Sequence, residues 1–174
     1  MKRVALTALV LVAAVAVVSA QGFEKGKTYV GPTVGYGWGL GLGANAEYGV
    51  TEKIGAGADF AYSSFTEKYN SGWGWWYEWK YTLIGILAAG AYHFSPGKQF
   101  DPYVKVGLGF FNWDAKYKDQ YGSTSVSSLY SAAYTSGIGF AGQLGARYFF
   151  SPTMAGRAAI GWPFYISGGL DFKF

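Results

Sequence analysis

The chain closes on FYISGGLDFKF, residues 164–174. Phe164, Ile166, Leu170, Phe172 and Phe174 share one parity with Gly168, while Tyr165, Ser167, Gly169, Asp171 and Lys173 share the other. Successive side chains of a strand point to opposite faces, so this stretch has one apolar and one wet face and stops on a phenylalanine. The alternation recurs upstream. In GIGFAGQLGARYF (137–149), Ile138, Phe140, Leu144, Ala146 and Tyr148 oppose Gly137, Gly139, Ala141, Gln143, Gly145 and Arg147. MAGRAAIGW (154–162), IGAGADFAY (54–62) and LGLGANAEYGV (40–50) repeat it, always with the apolar face on even numbers.

Composition agrees with such a pattern. The chain has 174 residues, no cysteine, 27 glycines, 20% aromatic and only 14% charged residues. Soluble domains carry roughly 25% charged residues. Abundant glycine without a collagen period, together with many Tyr and Trp, points to β-structure with close backbone approaches. Residues 1–20, MKRVALTALVLVAAVAVVSA, combine Lys2 and Arg3, an apolar run and a small-residue end, which predicts a secretory signal cut between Ala20 and Gln21. The alternative, an N-terminal membrane helix, would need roughly 20 apolar residues, and the run from Val4 to Val18 is shorter. The expected division is therefore a signal peptide over 1–20 and one domain over 21–174. Without Lys2 and Arg3, twelve bases face ten acids, and no basic run suggests nucleic acid. No disulfide framework or lipidated cysteine is expected.

Eight alternating segments can be counted, near 27–38, 39–50, 54–65, 78–94, 103–117, 132–150, 154–162 and 164–174. The segment over 78–94 is apolar on both parities, and Phe110-Phe111 could hide a bulge that flips the face. Connections alternate in length: TEK (51–53), SPGKQFD (95–101) and SPT (151–153) are compact, whereas the links near 66–77 and 118–131 are long. An even number of strands with short turns on one rim and long loops on the other is the signature of an outer-membrane barrel. Aromatics beside the compact turns would form one interfacial girdle, and Trp38, Tyr62, Trp162 and Phe164 the other. A soluble lipocalin-like barrel is the rival fold; it would need polar even-numbered positions.

The whole length after residue 20, the ending GLDFKF, and FDPYVKVGLGF (100–110) together resemble the small eight-stranded outer-membrane barrels, such as the transmembrane domain of outer membrane protein A and related outer membrane protein beta-barrel domain proteins. The resemblance implies an all-β, eight-stranded, antiparallel up-and-down transmembrane barrel in the outer membrane of a Gram-negative-type envelope. It implies outer-membrane lipid and lipopolysaccharide as surroundings, a monomer, and recognition of Phe172 and Phe174 by the outer-membrane assembly machinery. The peptidoglycan-binding domain of larger relatives is not expected after Phe174. The first outer loop, near Tyr36 to Gly39, is tight.

Odd-numbered residues then face a lumen with little room beyond its own side chains. Glu47, Asp59 and Asp171 should meet Lys105, Arg147, Arg157 and Lys173 as a belt of paired charges roughly 10–13 Å from the short-turn rim. Such a belt reads as a structural plug or as a gated constriction. In the outer half, Trp79, Tyr81, Leu83, Phe111, Trp113 and Tyr165 would pack against glycines and are the candidate outer-mouth ligand contacts. Gly137 to Gly142 matches G-x-G-x-x-G, but no helix follows, so the glycines suit a lumen face instead. His93 is the only histidine and reads as a rim residue without chemistry. No metal, cofactor or catalytic constellation is expected, and the chain is not read as an enzyme. The loop SFTEKYNSGWGWWYEW (64–79) reads either as a ribbon anchored at the lipopolysaccharide interface or as an aromatic contact surface. DQYGSTSVSSLYS (119–131) carries no specific reading. The function expected is structural and surface-interactive with a charge-plugged lumen. The alternative is narrow porin-like passage or capture of small, apolar solutes through the outer mouth.

Overall fold

The computed structural model describes residues 22–70, 74–120, 122–124 and 136–174. The expected signal peptide and its Ala20–Gln21 cleavage site lie outside these residues, as do Trp73 and most of the loop after Asp119. Among the described residues nine strands occur in chain order: β1 (Thr28–Tyr36), β2 (Leu40–Gly49), β3 (Ile54–Asn70), β4 (Trp76–His93), β5 (Phe100–Asp119), β6 (Gly122–Thr124), β7 (Gly137–Ser151), β8 (Met154–Gly161) and β9 (Ile166–Lys173). All pairings are antiparallel, and the order β4-β3-β2-β1-β9-β8-β7-β5 returns to β4, which closes an eight-stranded barrel. The three-residue β6 lies outside the ring and extends the tip of β5.

Parity decides which side chains enter. Odd-numbered Tyr29, Leu83, Leu87, Tyr103, Arg147 and Asp171 are buried, whereas even-numbered Ile138 and Phe140 are 79% and 84% exposed. Val34, Leu42, Ile86, Val106, Leu144, Ile160 and Leu170 continue that outer apolar surface. A belt of this kind is stable against hydrocarbon and costly in water. Over β4, where both parities are apolar in sequence, Leu83 and Leu87 face inward and Ile84 and Ile86 outward. The Phe110-Phe111 pair holds no bulge: Phe110 faces out, Phe111 in, and the β4–β5 register is unbroken from Tyr77↔Asp119 to His93↔Tyr103. A register shift does occur between Phe149 and Ser151.

Two expectations are corrected. The third and fourth segments run past their expected ends at 65 and 78: β3 reaches Asn70 and β4 starts at Trp76 with paired registers throughout, so the ribbon reading of this stretch is the one that agrees. The opening stretch of the sequence also breaks its own parity at one end. Between β8 and β9 the chain passes through Gly161, at φ 137°, and a cis Trp162–Pro163 bond. Trp162 and Phe164 turn inward instead of joining the outer girdle, while Tyr165, expected inside, is 51% exposed. Tyr165 lies over an outward groove bordered by Val106, Leu144 and Ile160.

Phe164 takes its inward place because the facing wall has no side chains. A Cβ at Gly35 or Gly41 would collide with the Phe164 ring, and one at Gly43 would press on it. Large rings against glycines fill a small barrel without straining its wall. Phe164→Ala should therefore open a cavity and cost about 3–5 kcal/mol, read as a lower urea midpoint for the folded, heat-modifiable form. An unchanged midpoint would contradict the inward placement.

Candidate functional site: the filled lumen and its charge cluster

Eight odd-numbered charged residues enter the lumen among the described strands: the seven expected ones and Asp101 on β5. Arg147 on β7 is fully buried. Its Nε donates to Asp171 Oδ2 at 2.6 Å, and its Nη2 donates to Glu47 Oε2 at 2.9 Å. The guanidinium carbon lies over the rings of Tyr29 and Tyr103, at 4.9 and 5.6 Å from their centroids. Arg157 sends Nε to within 3.5 Å of Asp171 Oδ1 and donates from Nη2 to Thr33 Oγ1 at 2.7 Å. Lys105 meets Asp59 at 3.1 and 3.3 Å as a separate pair. Lys173 pairs with Glu24 at 2.6 Å, not with another strand charge.

The structure adds two members to the expected belt, His93, which the sequence reading set aside, and Asp101, which it did not include. His93, expected as a bare rim residue, is fully buried. Its Nε2 lies 2.6 Å from Glu47 Oε1, and its Nδ1 lies 2.5 Å from Asp101 Oδ2. Only the imidazolium can donate from both nitrogens at once. Asp171, Arg147, Glu47, His93 and Asp101 thus form one bonded chain across the barrel. An unpaired charge at such depth would be expensive, so mutual pairing is the condition for keeping these residues inside. Glycine again makes the space: a Cβ at Gly55 would strike the Glu47 carboxylate, and one at Gly145 the Tyr103 ring.

The cluster has a floor. Phe23 stacks on His93 at 3.6 Å and on Tyr29 at 5.2 Å. Gly97 N donates to Phe23 O at 2.9 Å, Glu24 N to the Tyr29 hydroxyl at 2.8 Å, and Gly26 N to Gly49 O at 2.8 Å. Residues 22–27 are thereby seated under the barrel.

Above the charges the filling is apolar. Leu83, Leu87 and Phe111 form a buried cluster with Trp113, Ala141 and Trp162 packed against it. Trp162 lies 5.7 Å from Phe111 and 6.3 Å from Trp113, and Trp38 on the first outer turn reaches Trp113 at 6.4 Å. Of the expected mouth contacts, Leu83, Phe111 and Trp113 come together there. Trp79 and Tyr81 stand higher, on the extended β3–β4–β5 sheet, 6.2 Å from each other, and Tyr165 faces outward. Between the two halves, a cavity bordered by Asp59, Leu87, Lys105, Gln143 and Trp162 measures about 10 Å³. That is room for at most about one water.

The arrangement offers little to acid–base chemistry. Both His93 nitrogens are occupied by carboxylates, so neither is free to take a proton from a hydroxyl. Among the described residues no group of three or more His, Cys, Asp or Glu could hold a metal ion. Phe172 and Phe174 lie exposed at the short-turn rim, and Phe174 exchanges backbone hydrogen bonds with Thr28.

Comparison with known structures places this geometry. The outer membrane protein OprG of Pseudomonas aeruginosa aligns with TM-score 0.54 at 14% identity, over 88% of this chain and 98% of that one. Ail, the attachment invasion locus protein of Yersinia pestis, solved with the heparin analogue sucrose octasulfate, aligns with TM-score 0.53 at 16% identity, over 87% and 100%. The N-terminal β-barrel domain of Pseudomonas aeruginosa OprF aligns with TM-score 0.51 at 15% identity, over 86% and 98%. These likenesses concern the fold. No curated protein matches the chain in sequence. The profile of one family, described as the outer membrane protein beta-barrel domain, does match, over residues 5–172. With its closed ring of eight antiparallel strands, apolar outside and charged within, the chain belongs to the outer membrane protein beta-barrel domain family.

Proposed function

We propose that this outer-membrane barrel is a closed structural and surface-contact protein rather than a pore. The observation that supports the reading is side-chain packing across the lumen at three levels among the described residues. Phe23 covers the floor, the Arg147 cluster occupies the short-turn half, and Phe164, Phe111 and Trp162 fill the other half. The cavity between the halves, about 10 Å³, has room for at most about one water. Work is then left to the outward-projecting β3–β4–β5 sheet, the part of the molecule furthest from the short turns. Entry of small apolar solutes through the outer mouth is the weaker reading, since Trp38, Trp113 and Trp162 stand in ring contact across that space.

The surroundings that suit this surface are outer-membrane lipid and lipopolysaccharide, with the barrel acting as a monomer after export and removal of residues 1–20. Exposed Phe172 and Phe174 suit recognition by the outer-membrane assembly machinery.

Planar-bilayer recording of the refolded protein should give no steady channel. Long-lived channels of high conductance in the unmodified protein would overturn the plug. Arg147→Ala removes the cation that Glu47 and Asp171 share, leaving them only His93 and Arg157, and should cost about 3–5 kcal/mol of stability, with channel openings appearing in the same recordings. A variant as stable and as silent as the parent would contradict the role given to the cluster. Phe174→Ala should reduce the fraction of protein recovered folded from outer membranes of expressing cells without lowering total synthesis. Equal recovery would remove the terminal aromatic from the assembly step.

A further inference from the structure

β3, β4 and β5 continue beyond the apolar band of the wall, and their registers arrange even-numbered residues in rows. Ser64, Thr82 and Asp114 form one, Thr66, Lys80 and Lys116 the next, and Lys68, Glu78 and Lys118 the third. Even parity on these strands is the side of Ile84, Ile86 and Phe110, the lipid side of the barrel. The aromatics Phe65, Tyr69, Tyr77, Trp79, Tyr81 and Tyr117, with the acids Glu67 and Asp119, have odd parity and take the opposite face. The sheet is thus sorted into a lysine side and an aromatic side.

The lysine side is not internally balanced. Lys68 lies 3.6 Å from Glu78 and Lys116 lies 3.6 Å from Asp114, while Lys118 sits over the Trp76 ring at 5.8 Å. Lys80 stands directly opposite Lys116 and has no ion pair among the described residues. Like charges directly across a pair of strands repel, so this row loses stability unless an anion lies over it. Both carboxylates of the patch are already engaged, which leaves four lysines against two acids. Position selects the anion. Lys80 is four residues beyond Ile84, about 13 Å along the strand and about 10 Å in height for a tilted strand. A lysine stem reaches several ångströms further in either direction, which brings its ammonium to the headgroup layer that borders the hydrocarbon.

We infer that Lys68, Lys80, Lys116 and Lys118 form a binding site for the phosphorylated headgroup of an outer-leaflet lipid. The lysines act as point charges on the phosphate, and the lipid's acyl chains lie along the apolar wall below, against Ile84, Ile86 and Phe110. The site is on the outside of the barrel, so it does not depend on whether the lumen conducts, and bilayer recordings do not bear on it.

The test is titration of the purified protein, in neutral detergent micelles, with diphosphoryl lipid A, with bound lipid counted by native mass spectrometry. Lys80→Gln with Lys116→Gln should weaken binding by at least about tenfold, and Lys80→Gln alone by several-fold. Lys25→Gln with Lys53→Gln makes the same change of charge on the opposite rim, where both lysines are exposed, and should bind as the parent does. Each variant is checked for the heat-dependent gel shift of a folded barrel. Parent-like binding by the Lys80 and Lys116 double variant would overturn the site. So would an equal loss in the Lys25 and Lys53 variant. Equally tight binding of a sulfated sugar without acyl chains would also overturn it, since the patch would then be a receptor for soluble polyanions.

Discussion

Backbone N–H and C=O groups surrounded by hydrocarbon have no water to turn to, and each one left unpaired costs several kcal/mol. In this barrel every wall strand lies between two neighbours, and the ring is completed where β9 meets β1, from Tyr29↔Lys173 to Tyr36↔Ile166. Closure of the ring sets the rest. Once the sheet is a tube in lipid, a period of two leaves only one inside and one outside, so polar residues on the strands must go inward. Space within eight strands is small, so charges that go inward are buried; and once buried, they must be paired.

The two halves of the interior meet this demand by different means. Near the short turns, which in such barrels face the periplasm, the filling is electrostatic: Arg147 holds two carboxylates and lies between two tyrosine rings, while His93 bridges Glu47 to Asp101. Toward the outer rim the filling is steric, with Phe164 laid over three glycines of β1 and β2. The first type is unforgiving of deletion but fixes which strands face one another, because β2, β4, β5, β7 and β9 each contribute one charged partner. The second tolerates no added volume on the glycine side. Together they make a tube whose interior is as particular as the core of a soluble domain.

Much of this was legible in the sequence, because alternation is a local property. The parity rule and the compact turns followed from residues within a few positions of one another, and the closed barrel from the number of such segments, the alternation of loop lengths and the family resemblance. What was not legible depends on geometry between distant residues or outside the strands. His93 sat in a segment apolar on both parities, and its partner Glu47 is 46 positions away. Trp162 and Phe164 reversed sides because residues 162–165 belong to no strand, and a period of two does not cross a turn. The outward reach of β3 and β4 was one of two readings of a glycine- and tryptophan-rich stretch, because alternation fades there and cannot fix where the strands end. Residue types for the charge cluster could be named in advance; the pairing of Lys173 with Glu24 could not, since Glu24 precedes the first strand.

The seam between β1 and β9 joins the first and last described strands. Thr28 and Phe174 exchange backbone hydrogen bonds, and Glu24 reaches across to Lys173. The earliest described strand therefore has only one neighbour until β9 has been made. A chain that stops short of β9 cannot seal its ring, and its β1 edge stays open to other strands. Timing, in this molecule, is written into which two strands touch.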